Sequence, residues 1–196
     1  MRNFLIKQAI YVPIIYFGTI ILASFFAIDY SNIGQHANEL AINTSKIAGI
    51  VFNIGVSITG VSLILYGIGL LSNFGKQFAI TSFLVIVFGI TFIFGAVYKI
   101  GSPWHGLYGI GLSIMVFPLA FLYEMEKENT NKLTKAIALL SALIIFIYFW
   151  AMIAKLDPME QRGLTQRIFG FFVFGFTSYT AYITSTLKPT TLTNQR

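Results

Sequence analysis

The side chains best suited to acid–base or metal chemistry are the two histidines, His36 and His105, together with Asp29 and Glu39. Imidazole and carboxylate groups bind Zn²⁺, and bound zinc generates a hydrolytic nucleophile by lowering the pKa of its water to about 7. Because the sequence has only 2 histidines, such a site would depend on the carboxylates. His36 and Glu39, at positions i and i+3, are two potential ligands but not a complete site. Zinc is therefore one hypothesis, and a protein without a metal or other cofactor is the preferred one.

Arg167 offers a second chemistry, the binding of an anion. It directly precedes an apolar run, residues 168–172, and a guanidinium can bind a phosphate or a carboxylate bidentately. Three interpretations are open. The side chain could extend to the membrane surface, pair with a carboxylate such as Glu39 or Asp157, or bind a lipid phosphate.

Asn53 is a polar side chain inside an apolar stretch. With Ser57 and Gly60 it falls at positions i, i+4 and i+7, so the three residues share one helix face. An unpaired amide in hydrocarbon costs several kcal/mol by order of magnitude, so Asn53 needs a partner. We interpret this face as an interhelical hydrogen bond beside small residues. The alternative is the floor of a pocket.

Several familiar catalytic patterns are absent from the sequence. It has no cysteine, which excludes disulfides, thiolate nucleophiles and Cys-type metal sites. Nucleotide-binding loops, the HExxH motif and the GxSxG elbow are also missing. The glycines Gly106, Gly109 and Gly111 have the wrong spacing for a dinucleotide fingerprint, and we interpret them as close helix packing. No ionisable residue lies near the centre of an apolar stretch, which argues against an ion pump.

The amino-acid composition indicates which type of structural element positions these residues. Hydrophobic residues make up 56% of the 196 positions and charged residues 10%, with a mean hydropathy of +0.77, whereas soluble proteins contain about 25% charged residues. A membrane-spanning helix needs about 20 apolar residues, and continuous apolar runs exclude a β-barrel. The sequence therefore predicts an all-α bundle of six transmembrane helices in one domain, residues 1–196.

Stretches free of Asp, Glu, Lys and Arg are residues 8–28, 47–75, 77–98, 100–123, 136–154 and 168–187. The predicted spans cover about residues 8–28, 47–71, 77–98, 105–123, 136–154 and 167–187.

Basic residues predict the orientation. Six spans put both termini on one side, together with eight of the 13 basic residues: Arg2, Lys7, Lys76, Lys127, Lys132, Lys135, Lys188 and Arg196. The other side has Lys46, Lys99, Lys155, Arg162 and Arg167. The positive-inside rule then places both termini in the cytoplasm of a multi-pass cell-membrane protein, with both histidines outside. Because the basic residues flank the spans, the net charge of +6 predicts contact with lipid headgroups and no binding of nucleic acid.

Three connections between spans have a predicted form. In residues 29–46, helical spacing from Ser31, a suitable N-cap, predicts a short amphipathic outer helix. Its apolar side has Ile33, Ala37, Leu40 and Thr44, and its polar side has Asn32, His36, Glu39 and Asn43. This helix could rest on the headgroups or fold over the bundle as a lid. Pro103 predicts a tight turn with His105 at the start of the fourth helix. Residues 124–132 mix acids and bases, which is typical of a solvated turn.

The order of these elements resembles a bacterial and archaeal six-helix membrane family catalogued as domain of unknown function 998. The features that carry the resemblance are Glu39-Leu40, Phe52-Asn53, His105-Gly106 and Gly163-Leu-Thr-Gln166-Arg167-Ile168. Members often have an acid before the arginine, where this chain has Gln166. The resemblance implies a shared architecture and four residues of interest: Glu39, Asn53, His105 and Arg167.

The leading hypothesis for function is an outward-facing polar cavity that binds a lipid headgroup or another amphiphile. The predicted binding residues are Glu39, Asn53, His105, Arg167 and His36. One alternative is a membrane-embedded, metal-dependent lipid hydrolase. Another is an accessory subunit that packs against a larger membrane complex. Membrane lipid is the expected partner in each case, and a membrane-protein partner or a second copy of the chain is compatible with the pattern.

Overall fold

A computed structural model describes residues 2–98, 100–126, 130–156 and 158–188. Within these ranges the chain forms helices and turns and no strand. The α-helices are α1 (Arg2–Lys7), α2 (Val12–Phe26), α3 (Lys46–Phe74), α4 (Ala79–Val97), α5 (Phe117–Met125), α6 (Lys132–Ile153) and α7 (Arg162–Thr186). Shorter 3₁₀ helices cover Gln8–Tyr11, Ala37–Ile42, Gly75–Phe78 and Leu107–Val116.

Five helical stretches of the described chain are long and apolar enough to cross a membrane: Asn3–Phe26, Lys46–Val97, Leu107–Met125, Lys132–Ile153 and Arg162–Thr186. The second stretch has 52 residues and contains both α3 and α4. The chain reverses between them at Gly75, whose φ of +57° favours glycine. This stretch therefore makes two passes, and the described helices form six passes in all, which confirms an all-α polytopic bundle.

Backbone contact between glycines holds α3 against α4. A Cβ atom added to Gly60 would lie 2.6 Å from the carbonyl oxygen of Gly89, and the reverse distance is also 2.6 Å. Further along, a Cβ atom on Gly67 would lie 2.8 Å from the carbonyl oxygen of Ser82. Small residues thus let these two antiparallel helices approach more closely than larger side chains would allow.

The fourth pass begins as a 3₁₀ helix and becomes the α-helix α5 only at Phe117. Its first residues have positive φ values, 46° at Leu107, 55° at Tyr108 and 81° at Gly109. Such values are rare outside glycine, so the chain turns sharply before it enters the bundle.

The glycines of this segment correct the prediction of close helix packing. Gly111 does pack closely, since an added Cβ atom would lie 3.1 Å from Oγ1 of Thr91. Gly106 has open space at that position, and Gly109 serves the turn through its φ of +81°. Only one of the three glycines is therefore explained by helix packing.

Residues 30–42, here called the strap, lie across one end of the bundle. The predicted short helix is present, but it is a 3₁₀ helix over Ala37–Ile42 and begins six residues later than Ser31. Before it, Oγ of Ser31 accepts from the backbone N–H of Gly34 at 3.1 Å, and Oε1 of Gln35 accepts from the N–H of Ser31 at 2.7 Å. Side-chain bonds of this kind compete with a regular α-helix.

The strap is packed into the protein rather than laid on its surface. Ala37 and Leu40 are buried in the core, at 2% and 0% exposure. Ile33, predicted on the same apolar face, is 57% exposed, because the chain turns between these positions. The strap therefore covers the end of the bundle, as a lid does.

Glu124 corrects the interpretation of residues 124–132 as a solvated turn. Its side chain, at the end of α5, is only 6% exposed. Its two carboxylate oxygens accept the backbone N–H groups of Ile80 at 2.7 Å and Thr81 at 2.9 Å. A carboxylate is favourable at a helix N-terminus, so Glu124 caps α4. Residues 127–129 lie outside the described residues.

Candidate functional site

Two arginines of α7 attach the strap to the bundle. Arg162 forms an ion pair with Glu39 through Nη2 and Oε1 at 3.0 Å, and its Nε donates to the carbonyl oxygen of Gly34 at 3.1 Å. The same Oε1 accepts from the backbone N–H of His36 at 2.9 Å, in a capping box that also uses the His36 side chain. Glu39 and His36 thus shape the strap and join it to α7.

Arg167 makes four hydrogen bonds to neighbouring groups. Nη2 donates to the hydroxyl of Tyr30 at 2.6 Å and to Oδ1 of Asn32 at 2.9 Å. Nη1 donates to the carbonyl oxygens of Gln35 at 3.2 Å and Gly163 at 2.7 Å. These bonds occupy both hydrogens of each terminal nitrogen.

Arg167 has other partners than the Glu39 carboxylate considered from the sequence. Within the described part of the chain, its partners are neutral oxygens and none is a carboxylate, since Glu39 pairs with Arg162. Asp157, the other expected partner, lies outside the described residues. The guanidinium is turned into the strap, so a lipid phosphate would have to replace existing bonds to reach its terminal nitrogens.

Tyr30 stays protonated beneath Arg167. Burial raises the pKa of its hydroxyl, and the nearby positive charge of Arg167 opposes that rise only in part. The protonated hydroxyl accepts from Arg167 and donates to the carbonyl oxygen of His36 at 3.3 Å. A part-buried bridge thus joins the first residue of the strap to its middle.

The start of α7 fits the strap closely. A Cβ atom added to Gly163 would lie 2.7 Å from the carbonyl oxygens of both Asn32 and Ile33. The backbone N–H of Leu164 donates to Ile33 at 3.0 Å, and Oε1 of Gln166 accepts from the N–H of Ala37 at 2.6 Å. Gln166 therefore holds the strap as a neutral acceptor.

His105 joins the strap to the turn before the fourth pass. Its Nδ1 lies 2.8 Å from the carbonyl oxygen of Tyr98, and its Nε2 lies 3.4 Å from Nδ2 of Asn38. Because a carbonyl oxygen only accepts, this network assigns the proton to Nδ1, and Nε2 of the neutral ring is then an acceptor. His105 thus presents an acceptor beside the Asn38 amide.

A cavity of about 310 Å³ lies beneath the strap and extends into the bundle. Most of its lining is aromatic or aliphatic, including Tyr16, Phe52, Phe92, Phe149, Phe169 and Phe174. Asn38, His105 and Gln166 contribute polar groups at the strap end. Among the described lining residues none is an acid, a lysine or an arginine. The cavity is therefore an apolar chamber with a few hydrogen-bonding groups at one end.

The five predicted binding residues occupy three different places. His105 lines the cavity. Glu39, His36 and Arg167 hold the strap above it. Asn53 lies in a separate groove, which shares no lining residue with the cavity in the described structure. The predicted residues thus do not converge on one site.

The residues considered as zinc ligands, which are His36, His105, Asp29 and Glu39, do not form one cluster either. Among the described residues no group of three or more His, Asp or Glu side chains could hold a metal ion. His36 takes part in the capping box, and the His105 nitrogens face Tyr98 and Asn38. Asp29 has a positive φ of 51° in the turn after α2. Nothing in this arrangement gives the zinc hypothesis a site.

Asn38 and Gln166, which lie with His105 at the strap end of the cavity, are not among the residues predicted from the sequence. Helical spacing assigns Asn38 to neither face of the predicted outer helix. In the structure Ala37–Ile42 is a 3₁₀ helix, and Asn38 lines the cavity. Gln166 was noticed only as a departure from the family pattern. Its place directly before Arg167, at the start of an apolar span, was a usable signal for a residue near the end of the bundle.

Comparison with known proteins gives a family but no characterised relative. A family model described as "Protein of unknown function (DUF998)" matches residues 10–182, nearly the whole described bundle. No curated protein and no solved structure matches the chain. Because the match covers most of the chain, the chain belongs to the DUF998 family.

Proposed function

We propose that this protein binds an uncharged amphiphile from the membrane in the cavity beneath the strap. The apolar part of the ligand would occupy the aromatic chamber, and its polar group would meet Asn38, His105 and Gln166. The observation that carries the proposal is the cavity itself, since apolar walls and a few polar groups at one end are the usual form of a small-ligand site. Glu39, His36 and Arg167 would act by holding the strap in place.

The size of the cavity limits the ligand. Ligand sites commonly measure about 300 to 1,000 Å³, and this cavity, at about 310 Å³, is at the small end. It suits a ligand with one acyl chain or one ring system better than a phospholipid with two acyl chains. Because bilayer hydrocarbon is as apolar as the cavity wall, burial alone gives little preference for the site. Selection must therefore come from shape and from polar side chains such as Asn38, His105 and Gln166.

The charges around the cavity argue for a neutral polar group. Arg162 and Arg167 are engaged by the strap, and no lysine or arginine is among the described residues that line the chamber. Burying a phosphate without a cation would be costly. A hydroxyl or amide could instead donate to Nε2 of His105, and a hydroxyl, ester or amide oxygen could accept from the amide groups of Asn38 and Gln166. We therefore propose a ligand with a neutral polar group, in place of a lipid phosphate bound by Arg167.

The orientation of the protein in the membrane is part of the same proposal. The strap end of the bundle would face the outside of the cell, because the positive-inside rule places the termini, with the larger number of basic residues, in the cytoplasm. A ligand would then enter from the outer leaflet.

Native mass spectrometry of the protein, released from mild detergent, tests the proposal. Wild-type protein should carry a bound species of defined mass and neutral polar group. Val56 lines the cavity, so Val56→Phe should reduce the occupied fraction, and Asn38→Leu should weaken retention by removing the amide. Ile68→Phe introduces the same side chain at a partly exposed position of α3 outside the lining of the cavity and should leave occupancy unchanged. Equal occupancy in wild type, Val56→Phe and Asn38→Leu would refute a ligand in this cavity.

A further inference from the structure

A second concavity lies on the membrane-facing side of α3 and α4. This groove measures about 500 Å³ and is lined by Asn53, Ile54, Ser57, Val61, Ala96 and Val97, among others. The cavity uses the opposite side of α3, through Phe52 and Val56. In the described structure no residue lines both spaces, so the groove is a separate site.

One polar atom of Asn53, a residue that lines the groove, lacks a partner in the described structure. Oδ1 of Asn53 is buried and has no hydrogen bond to any described residue. Helix α3 begins at Lys46, and seven residues at about 1.5 Å each place Asn53 about 10 Å further along the helix. In a hydrocarbon layer about 30 Å thick, an unpaired amide at that depth is costly. Because this oxygen is itself covered, we expect the Asn53 side chain to turn so that its amide meets a hydrogen-bonding group of whatever fills the groove.

We infer that the groove binds an apolar lipid with a hydroxyl group, which pairs with the Asn53 amide. A hydroxyl both donates and accepts, so it can satisfy the amide in either orientation of the side chain. A charged headgroup does not fit, because the described lining of the groove includes no cationic residue. A lone hydroxyl loses far less solvation than a phosphate does when it enters hydrocarbon.

A second copy of the chain fits the groove less well. In a two-fold dimer the same surface of each copy meets the other. Here that surface is concave, so two grooves would face each other across an unfilled space. A flexible or planar lipid can fill the groove without this mismatch.

Photolabelling in phospholipid nanodiscs tests the inference. The probe is a long-chain alcohol with a diazirine in its chain, compared with its deoxy analogue, which has the same chain and no hydroxyl. Labelled positions are mapped by tandem mass spectrometry. Hydrogen bonds within membranes contribute about 0.6 kcal/mol on average and up to about 1.7, so the alcohol should label α3 and α4 at the groove about three- to twentyfold more than the deoxy analogue.

Variants make the test specific. Asn53→Leu should abolish the preference for the alcohol. Val61→Phe, which fills the groove and leaves Asn53 intact, should reduce labelling by both probes. Ile68→Phe is the matched control on a partly exposed position of α3 outside the groove and should label like wild type.

Either of two labelling results would overturn the inference. Equal labelling by the two probes in wild type, or a preference that survives Asn53→Leu, would contradict it. Chain-to-chain cross-links across the groove in place of probe labelling would assign the groove to a second copy. Val56→Phe, which blocks the cavity, should leave groove labelling unchanged, so the outcome is independent of the cavity proposal.

Discussion

Replacing Gly163 by alanine should release the strap. Gly163 is the second residue of α7, and the strap backbone passes directly over it. An added Cβ atom would lie 2.7 Å from the carbonyl oxygens of Asn32 and Ile33, well inside a normal van der Waals contact. Neither oxygen belongs to a flexible side chain, so the strap itself must move.

The size of the effect follows from this clash. Overpacking of a well-packed site costs about 1–3 kcal/mol. If the strap alone relieves the strain, its opening free energy falls by that amount, and each 1.36 kcal/mol changes an equilibrium tenfold. Local opening of the strap should therefore become about 5 to 150 times more frequent.

Amide hydrogen exchange of the strap measures this opening directly. Backbone N–H groups that are bonded within or to the strap, such as those of His36 and Ala37, should exchange faster in Gly163→Ala by that factor. Gly175→Ala is the matched control in the same helix, because a Cβ atom there meets no atom within 4 Å. Both changes gain at most about 1 kcal/mol of helix propensity, so the difference between them isolates the clash.

Unchanged strap exchange in Gly163→Ala would refute the reasoning. So would equal acceleration in Gly163→Ala and Gly175→Ala, because a general weakening of α7 would then account for both. Faster exchange throughout the bundle would show that the strap and the helices open together, which the local account excludes.

Three further predictions concern groups that hold the structure together. Arg167→Lys keeps the charge but cannot span four acceptors, so strap exchange should rise in the lysine variant, and wild-type protection would contradict the role given to the guanidinium. Burial raises the pKa of Tyr30, so its stabilising contribution is complete below about pH 10 and falls as the pH rises further. Strap protection in wild type should thus exceed that in Tyr30→Phe at neutral pH, and the difference should narrow above about pH 10; a constant difference would argue against a protonated Tyr30. Glu124→Ala leaves two helix-capping N–H groups unpaired and should cost about 1–3 kcal/mol, seen as a lower thermal midpoint than in the exposed control Glu126→Ala, and equal midpoints would contradict the cap.

The helical bundle was predictable because long apolar runs in the sequence are enough to identify it. Continuous apolar runs of spanning length can hardly fold in any other way in a bilayer, where every backbone group must be bonded internally. Asn53 and His105 were also recognisable as unusual, since a polar side chain in or beside such a run demands a partner. Local composition is enough for conclusions of this kind.

The strap was less predictable because tertiary bonds determine its shape. Helical spacing in residues 31–44 suggested one amphipathic helix, yet Ser31 and Gln35 bond to nearby backbone and Gly163 admits three strap carbonyls to the start of α7. The pairing of Glu39 with Arg162, rather than with Arg167, depends on the register between strap and helix. That register is set by contacts more than 120 residues apart in sequence, such as Ala37 with Gln166, and no local pattern encodes it.

Glu124 shows the same limit at the other end of the bundle. Its neighbours in sequence are charged, which is typical of a solvated turn. Its partners are backbone N–H groups of α4 more than 40 residues away. A charge pattern alone does not distinguish a solvated acid from one that caps a distant helix.

The most direct test of the central claim is an experimental structure of the protein in native-lipid nanodiscs, at a resolution that shows bound lipid. The account predicts one elongated density in the cavity beneath the strap, with its polar end within hydrogen-bonding distance of Asn38, His105 or Gln166, and no such density in Val56→Phe. A cavity closed by side chains, filled only with water, or occupied by an anionic headgroup bound to Arg167 would contradict the account.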